Sequence, residues 1–140
     1  MPVRTRALPR MILLTGLLAA VPAGQSIAGA TTFNVAASCC SNYTIDGLPD
    51  PPLTLTRGLT YTFNLDVSGH PFFIKTIPGP GGANTFDNGV SGNGDQGGVL
   101  TFVVPLDAPA NLFYNCGLHG QMGGTIAIVD GEPRFSNGFE

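Results

Sequence analysis

The chain is short of histidine and of positive charge. Its 140 residues hold two histidines, His70 and His119, and neither has the serine and acid arrangement of a hydrolytic triad around it. Lysine and arginine total 6 against 9 acidic residues. The glycines between Gly79 and Gly98 lack the strand–loop–helix setting that cradles phosphate. No internal repeat and no long amphipathic helical pattern is visible. The apolar stretch Met11 to Val21 is too short to cross a bilayer as a helix.

That stretch has another reading. Arg4, Arg6 and Arg10 precede it, and small residues follow it, with Ser26-Ile27-Ala28 and Ala28-Gly29-Ala30 as cleavage candidates. Residues 1–30 therefore read as a secretory signal peptide, cut after Ala30 or, as second choice, Ala28. A membrane anchor and a buried helix are the competing readings. Cys39 lies too far downstream for lipid attachment. The mature protein is expected in the periplasm or outside the cell, as one domain at residues 31–130 with a C-terminal extension at 131–140. It keeps Arg57, Lys75 and Arg134 against nine carboxylates, a net charge of −6. Such a surface repels nucleic acid and anionic lipid and favours a basic protein partner.

What is plentiful in this region is Gly, Pro, Thr, Val and Phe, the residues of strands joined by turns. Eight strands are expected, at about 31–36, 43–46, 53–56, 60–66, 72–77, 98–103, 111–115 and 124–129. Leu59, Tyr61, Phe63 and Leu65 alternate with polar residues and should share one buried face. Thr125 to Val129 is apolar enough to be covered on both faces or to lie at a sheet edge near the core. Many short strands argue for an all-β sandwich or barrel. Pro78 to Gly97 holds seven glycines and two prolines and reads as a long solvated loop. Asn84, Asp87, Asn88, Asn93 and Asp95 raise calcium as an alternative there, but their spacing is not that of a helix–loop–helix calcium motif.

One segment carries chemistry. Phe113 to Gly124 reads FYNCGLHGQMGG, placing Cys116, His119 and Met122 as C-x2-H-x2-M between two expected strands. His70 also falls between strands. Both histidines of the chain thus join one thiol and one thioether. Taken singly, His70 could be a partly buried histidine, Cys116 a small hydrophobe, His119 an exposed loop residue and Met122 core filler. Taken together, two imidazoles, one thiolate and one thioether suit a copper ion. Cu(I) favours sulfur and Cu(II) favours nitrogen, so the mixed set accommodates both states. Zinc would accept the His2Cys part but has no use for methionine. Two histidines are too few for a multicopper oxidase. One cysteine in the loop is too few for a binuclear copper centre.

From about Tyr43 to Val129 the chain resembles the cupredoxin family of small blue copper proteins, and C-x2-H-x2-M resembles the short ligand loops of amicyanin-type members. The resemblance implies a Greek-key β-sandwich with one copper at its end. It implies His70, Cys116 and His119 as strong ligands and Met122 as a weak axial one. It further implies an apolar docking patch of Leu118, Gly120 and Pro71 around an exposed His119 edge. Many members have asparagine after the first histidine, tying the ligand loops together and donating an N–H to the cysteine sulfur. Here Pro71 has no N–H to give. Leu118 remains as a possible donor. With fewer bonds to the sulfur, a lowered reduction potential is expected.

These residues describe a single-electron carrier, monomeric and not an enzyme, that meets a redox protein partner. Two alternatives remain: copper storage or delivery, and a secreted sandwich that binds a partner without metal. Storage proteins often carry methionine- and histidine-rich tracts, and this chain has none. Cys39 and Cys40 are outside the family pattern. A strained adjacent disulfide and free thiols rank equally for them, ahead of pairing between chains.

Overall fold

A computed structural model describes residues 29–132. The expected signal peptide up to residue 28, and the extension from residue 133, lie outside the described residues.

The described residues form ten strands: β1 (Thr32–Ser38), β2 (Asn42–Ile45), β3 (Leu48–Pro49), β4 (Leu53–Thr56), β5 (Thr60–Asp66), β6 (Phe72–Lys75), β7 (Val90–Ser91), β8 (Gly97–Val103), β9 (Asn111–Cys116) and β10 (Gly123–Val129). One sheet has the order β3-β2-β1-β5-β8-β7, the other β4-β10-β9-β6. Both are mixed, with β1 parallel to β5 and β4 parallel to β10. From β4 onward the chain crosses between sheets at β4–β5, β5–β6, β6–β7 and β8–β9. This repeated crossing makes the expected Greek-key sandwich.

The expected eight strands all occur, with ends shifted by a residue or two. The two additions, β3 and β7, have two residues each and leave no periodicity to read. Tyr61, Phe63 and Leu65 face the core as expected, but Leu59 does not: it is 45% exposed, in the turn before β5 begins. Thr125 to Val129 is neither an edge nor covered on both faces. It is the second strand of its sheet, with Ile126 and Ile128 buried and Thr125, Ala127 and Val129 exposed.

Aromatic side chains fill the space between the sheets. Phe33 lies 5.0 Å from Phe63, Phe63 5.7 Å from Phe72, and Phe72 5.5 Å from Tyr114 as a nearly parallel stack. The row crosses from one sheet to the other, within the separations at which ring pairs attract. It ends at β6 and β9, the two strands that carry the candidate site.

Candidate metal centre

Strand pairing brings the site together. β6 runs antiparallel to β9 with Phe72 opposite Cys116. The segment just before β6 therefore lies beside the end of β9. That segment is a tight turn: the His70 N–H donates to Val67 O at 2.8 Å, and Gly69 takes the positive φ the turn requires. β9 and β10 form a hairpin whose loop carries Gly117 to Met122. The loop is closed by Cys116 N–H to Met122 O at 2.8 Å and Met122 N–H to His119 O at 3.1 Å. At Gly123 the strands approach so closely that a Cβ would sit 2.2 Å from Tyr114 O, so no larger residue fits there.

Three donor atoms converge. His70 Nδ1 lies 3.2 Å from His119 Nδ1, and Cys116 Sγ lies 3.8 Å from the first and 3.6 Å from the second. A point equidistant from all three is about 2 Å from each, comparable with metal bonds to imidazole and thiolate of about 2.0–2.3 Å. Cys116 is buried and both histidines are half-buried, so the cluster lies just beneath the surface. Among the described residues it is the group of three or more His, Cys, Asp and Glu side chains able to hold an ion. Met122 is fully buried and belongs to the core, at the end of the same loop.

Hydrogen bonds fix these residues from behind. The Leu118 N–H donates to Cys116 Sγ at 3.4 Å, the donor expected from the sequence. Pro71 contributes its carbonyl instead of an N–H: the Gly117 N–H donates to Pro71 O at 2.9 Å and so ties the two ligand-bearing segments. The Tyr43 hydroxyl is shared between His70 O at 2.9 Å and Pro71 O at 3.1 Å. Burial holds its phenol well above the ordinary pKa, so it stays a donor. Asp50 Oδ1 accepts the Tyr43 N–H at 2.9 Å. Burial raises the Asp50 carboxyl pKa, and backbone donors at Tyr43 and Gly123 oppose that rise.

The residue that sequence reasoning missed is Asn115. It is buried, immediately before Cys116. Its Oδ1 accepts the Gly79 N–H at 2.5 Å, and its Nδ2 donates to Met122 O at 2.7 Å and, more distantly, to Gly120 O and His119 O. One side chain thus braces the ligand loop against the start of the long glycine-rich loop. Lys75 completes the brace. It is 1% exposed, with Nζ donating to Gly79 O at 2.5 Å and Gly81 O at 2.9 Å. Burial lowers its pKa. The signal in the sequence was weak: a polar residue at the apolar end of each expected strand.

The long loop is ordered by its own polar residues. Asn93 accepts the Ile74 N–H at 2.8 Å and donates to Asp87 at 2.8 Å, and Thr85 donates to Asp87 at 2.9 Å. The Asx residues considered for calcium are in part spent on these bonds. Leu118 is 65% exposed beside His119 and Gly120 is exposed as well, while Pro71 and His119 are half-buried.

No protein-family model matches the chain, and no curated protein sequence does. Solved structures do. A variant of rusticyanin aligns with a TM-score of 0.50 at 22% identity, over 78% of this chain and 85% of that one. Rusticyanin from Thiobacillus ferrooxidans aligns at 0.47 and 24% identity, over 74% and 80%. A variant of the McoA multicopper oxidase from Aquifex aeolicus aligns at 0.43 and 19% identity, over 78% of this chain and 29% of the oxidase. The first of these likenesses shows the fold, which is the cupredoxin sandwich.

Proposed function

We propose that the chain is a type 1 copper protein of the periplasm or cell exterior that carries single electrons and catalyses no reaction of its own. The convergence of His70 Nδ1, His119 Nδ1 and Cys116 Sγ carries this reading. Met122, buried at the end of the same loop, would add a soft thioether as fourth donor. Copper held there supplies a one-electron couple between Cu(I) and Cu(II).

The chain's own residues supply the rest. Imidazole and thiolate donors suit both oxidation states, and the fourth donor is soft. The bonds from Asn115, Tyr43 and Gly117 are made between protein groups and would brace the ligand-bearing segments, so little would have to move when the charge changes. The Leu118 N–H draws electron density from the sulfur. Exposed Leu118 and Gly120, with half-buried Pro71, form the surface through which a partner reaches His119. The partner in this reading is a basic redox protein and the carrier is a monomer.

The visible absorption spectrum after addition of Cu(II) tests the reading, with Cys116→Ala as control. An intense thiolate-to-copper band is expected in the native chain and none in the variant. Tight Cu(II) binding without that band would leave a storage or delivery role. No binding would leave a metal-free sandwich.

A further inference from the structure

The turn between β1 and β2 carries a second pair of sulfurs that the proposed centre does not use. Cys39 and Cys40 are both exposed, with Sγ atoms 3.5 Å apart. Cys40 takes a positive φ of 65°, unusual for a residue with a side chain, and this φ belongs to the turn that sets the two thiols side by side. The turn is joined to the candidate centre: the Gln121 side chain, next to Met122, donates to Cys40 O at 3.1 Å.

We propose that Cys39 and Cys40 form a second metal site, a dithiolate clamp for one soft monovalent cation of the Cu(I) class. Adjacent residues hold their Cα atoms about 3.8 Å apart, closer than the roughly 4.4–6.8 Å that disulfides span. A bond between these two sulfurs is therefore disfavoured, whereas an ion between them needs no such closure. Sulfurs 3.5 Å apart can both reach an ion about 2.3 Å away, an ordinary metal–thiolate length. Soft sulfur ligands select Cu(I). At that separation the angle at the ion is about 100°, so the pair supplies two ligands of a three-coordinate Cu(I) with solvent as the third, while zinc asks for four. Binding replaces two S–H bonds by two S–Cu bonds, releases both protons to water and leaves the copper as Cu(I).

The site stands independently of the His–Cys–His centre, and its test separates the two. Anaerobic titration of the full chain with Cu(I), against a coloured Cu(I) chelator, counts tightly held ions per chain. Two are expected in the native protein, one in Cys39→Ser/Cys40→Ser and one in Cys116→Ala. The Cys39→Ser/Cys40→Ser protein should keep the Cu(II)–thiolate band, because Cys116 is untouched. Equal uptake by the native chain and the Cys39→Ser/Cys40→Ser protein would overturn the proposal. So would a native protein that, isolated without reductant, has lost two hydrogens to a disulfide between Cys39 and Cys40. Loss of an ion in Cys116→Ala alone would likewise overturn it, because the two serines would then have cost nothing.

Discussion

Pro71 sits next to the proposed ligand His70 and lacks the N–H that could donate to the Cys116 sulfur. Its position leaves the Leu118 N–H as the backbone donor on the Cys116 sulfur among the described residues. Each such bond withdraws density from sulfur and favours the reduced ion. Pro71→Asn restores an N–H and should raise the potential. One hydrogen bond is worth about 1 kcal/mol, or about 40 mV for a one-electron couple. Electrochemical titration of the two proteins measures the shift, and an unchanged or lower value would count against this role for Pro71. Leu118→Pro removes the remaining donor and should move the potential the other way.

Among the elements, the hairpin of β9 and β10 depends on a brace that comes from outside it. Asn115→Ala leaves the Gly79 N–H and the Met122 carbonyl without that partner. A loss of about 1–3 kcal/mol is expected, read as a lower urea midpoint in the metal-free protein. The ligand loop loosens at the same time, so the copper–thiolate band should broaden or shift in the loaded variant. A variant with native stability and a native band would show the brace to be dispensable.

The sequence made the hairpin legible but not its brace. Alternation marked β5, because a half-buried strand must alternate, whereas Thr125 to Val129 in β10 reads as a continuous apolar run. It could not say which strand would be central, so the outward face of β10 went unread. C-x2-H-x2-M is local and so visible. His70 was recognisable because only two histidines exist to be placed. The contacts of Asn115 with Gly79, and of Asn93 with Ile74, join residues 36 and 19 positions apart. They exist only once both sheets have formed, and no pattern along the chain encodes them.

For the molecule as a whole, charge is distributed one-sidedly. Among the described residues the cations are Arg57 and Lys75. Arg57 is engaged by Asp130 at 2.8 Å and by Ala108 O, and Lys75 is buried. Among the described residues the free surface charge is therefore carboxylate. Association with a cationic redox partner should be fast at low salt and slow steeply as the Debye length shrinks to about 10 Å at 0.1 M. Stopped-flow oxidation by a basic cytochrome across an ionic-strength series measures this. A rate that does not depend on salt would remove charge from partner choice.

The burial of Lys75 reaches beyond electrostatics. It is the one lysine of the sequence, and its ammonium is locked onto the carbonyls of Gly79 and Gly81. Trypsin can cut there only after β6 and the loop beneath the ligands have come apart, so the folded domain carries its own opening gauge. Ions that close the centre should slow this one cleavage in proportion to how rarely the loop then opens. The peptide bond after Lys75 thus keeps time for a motion that no spectrum of the bound metal would record.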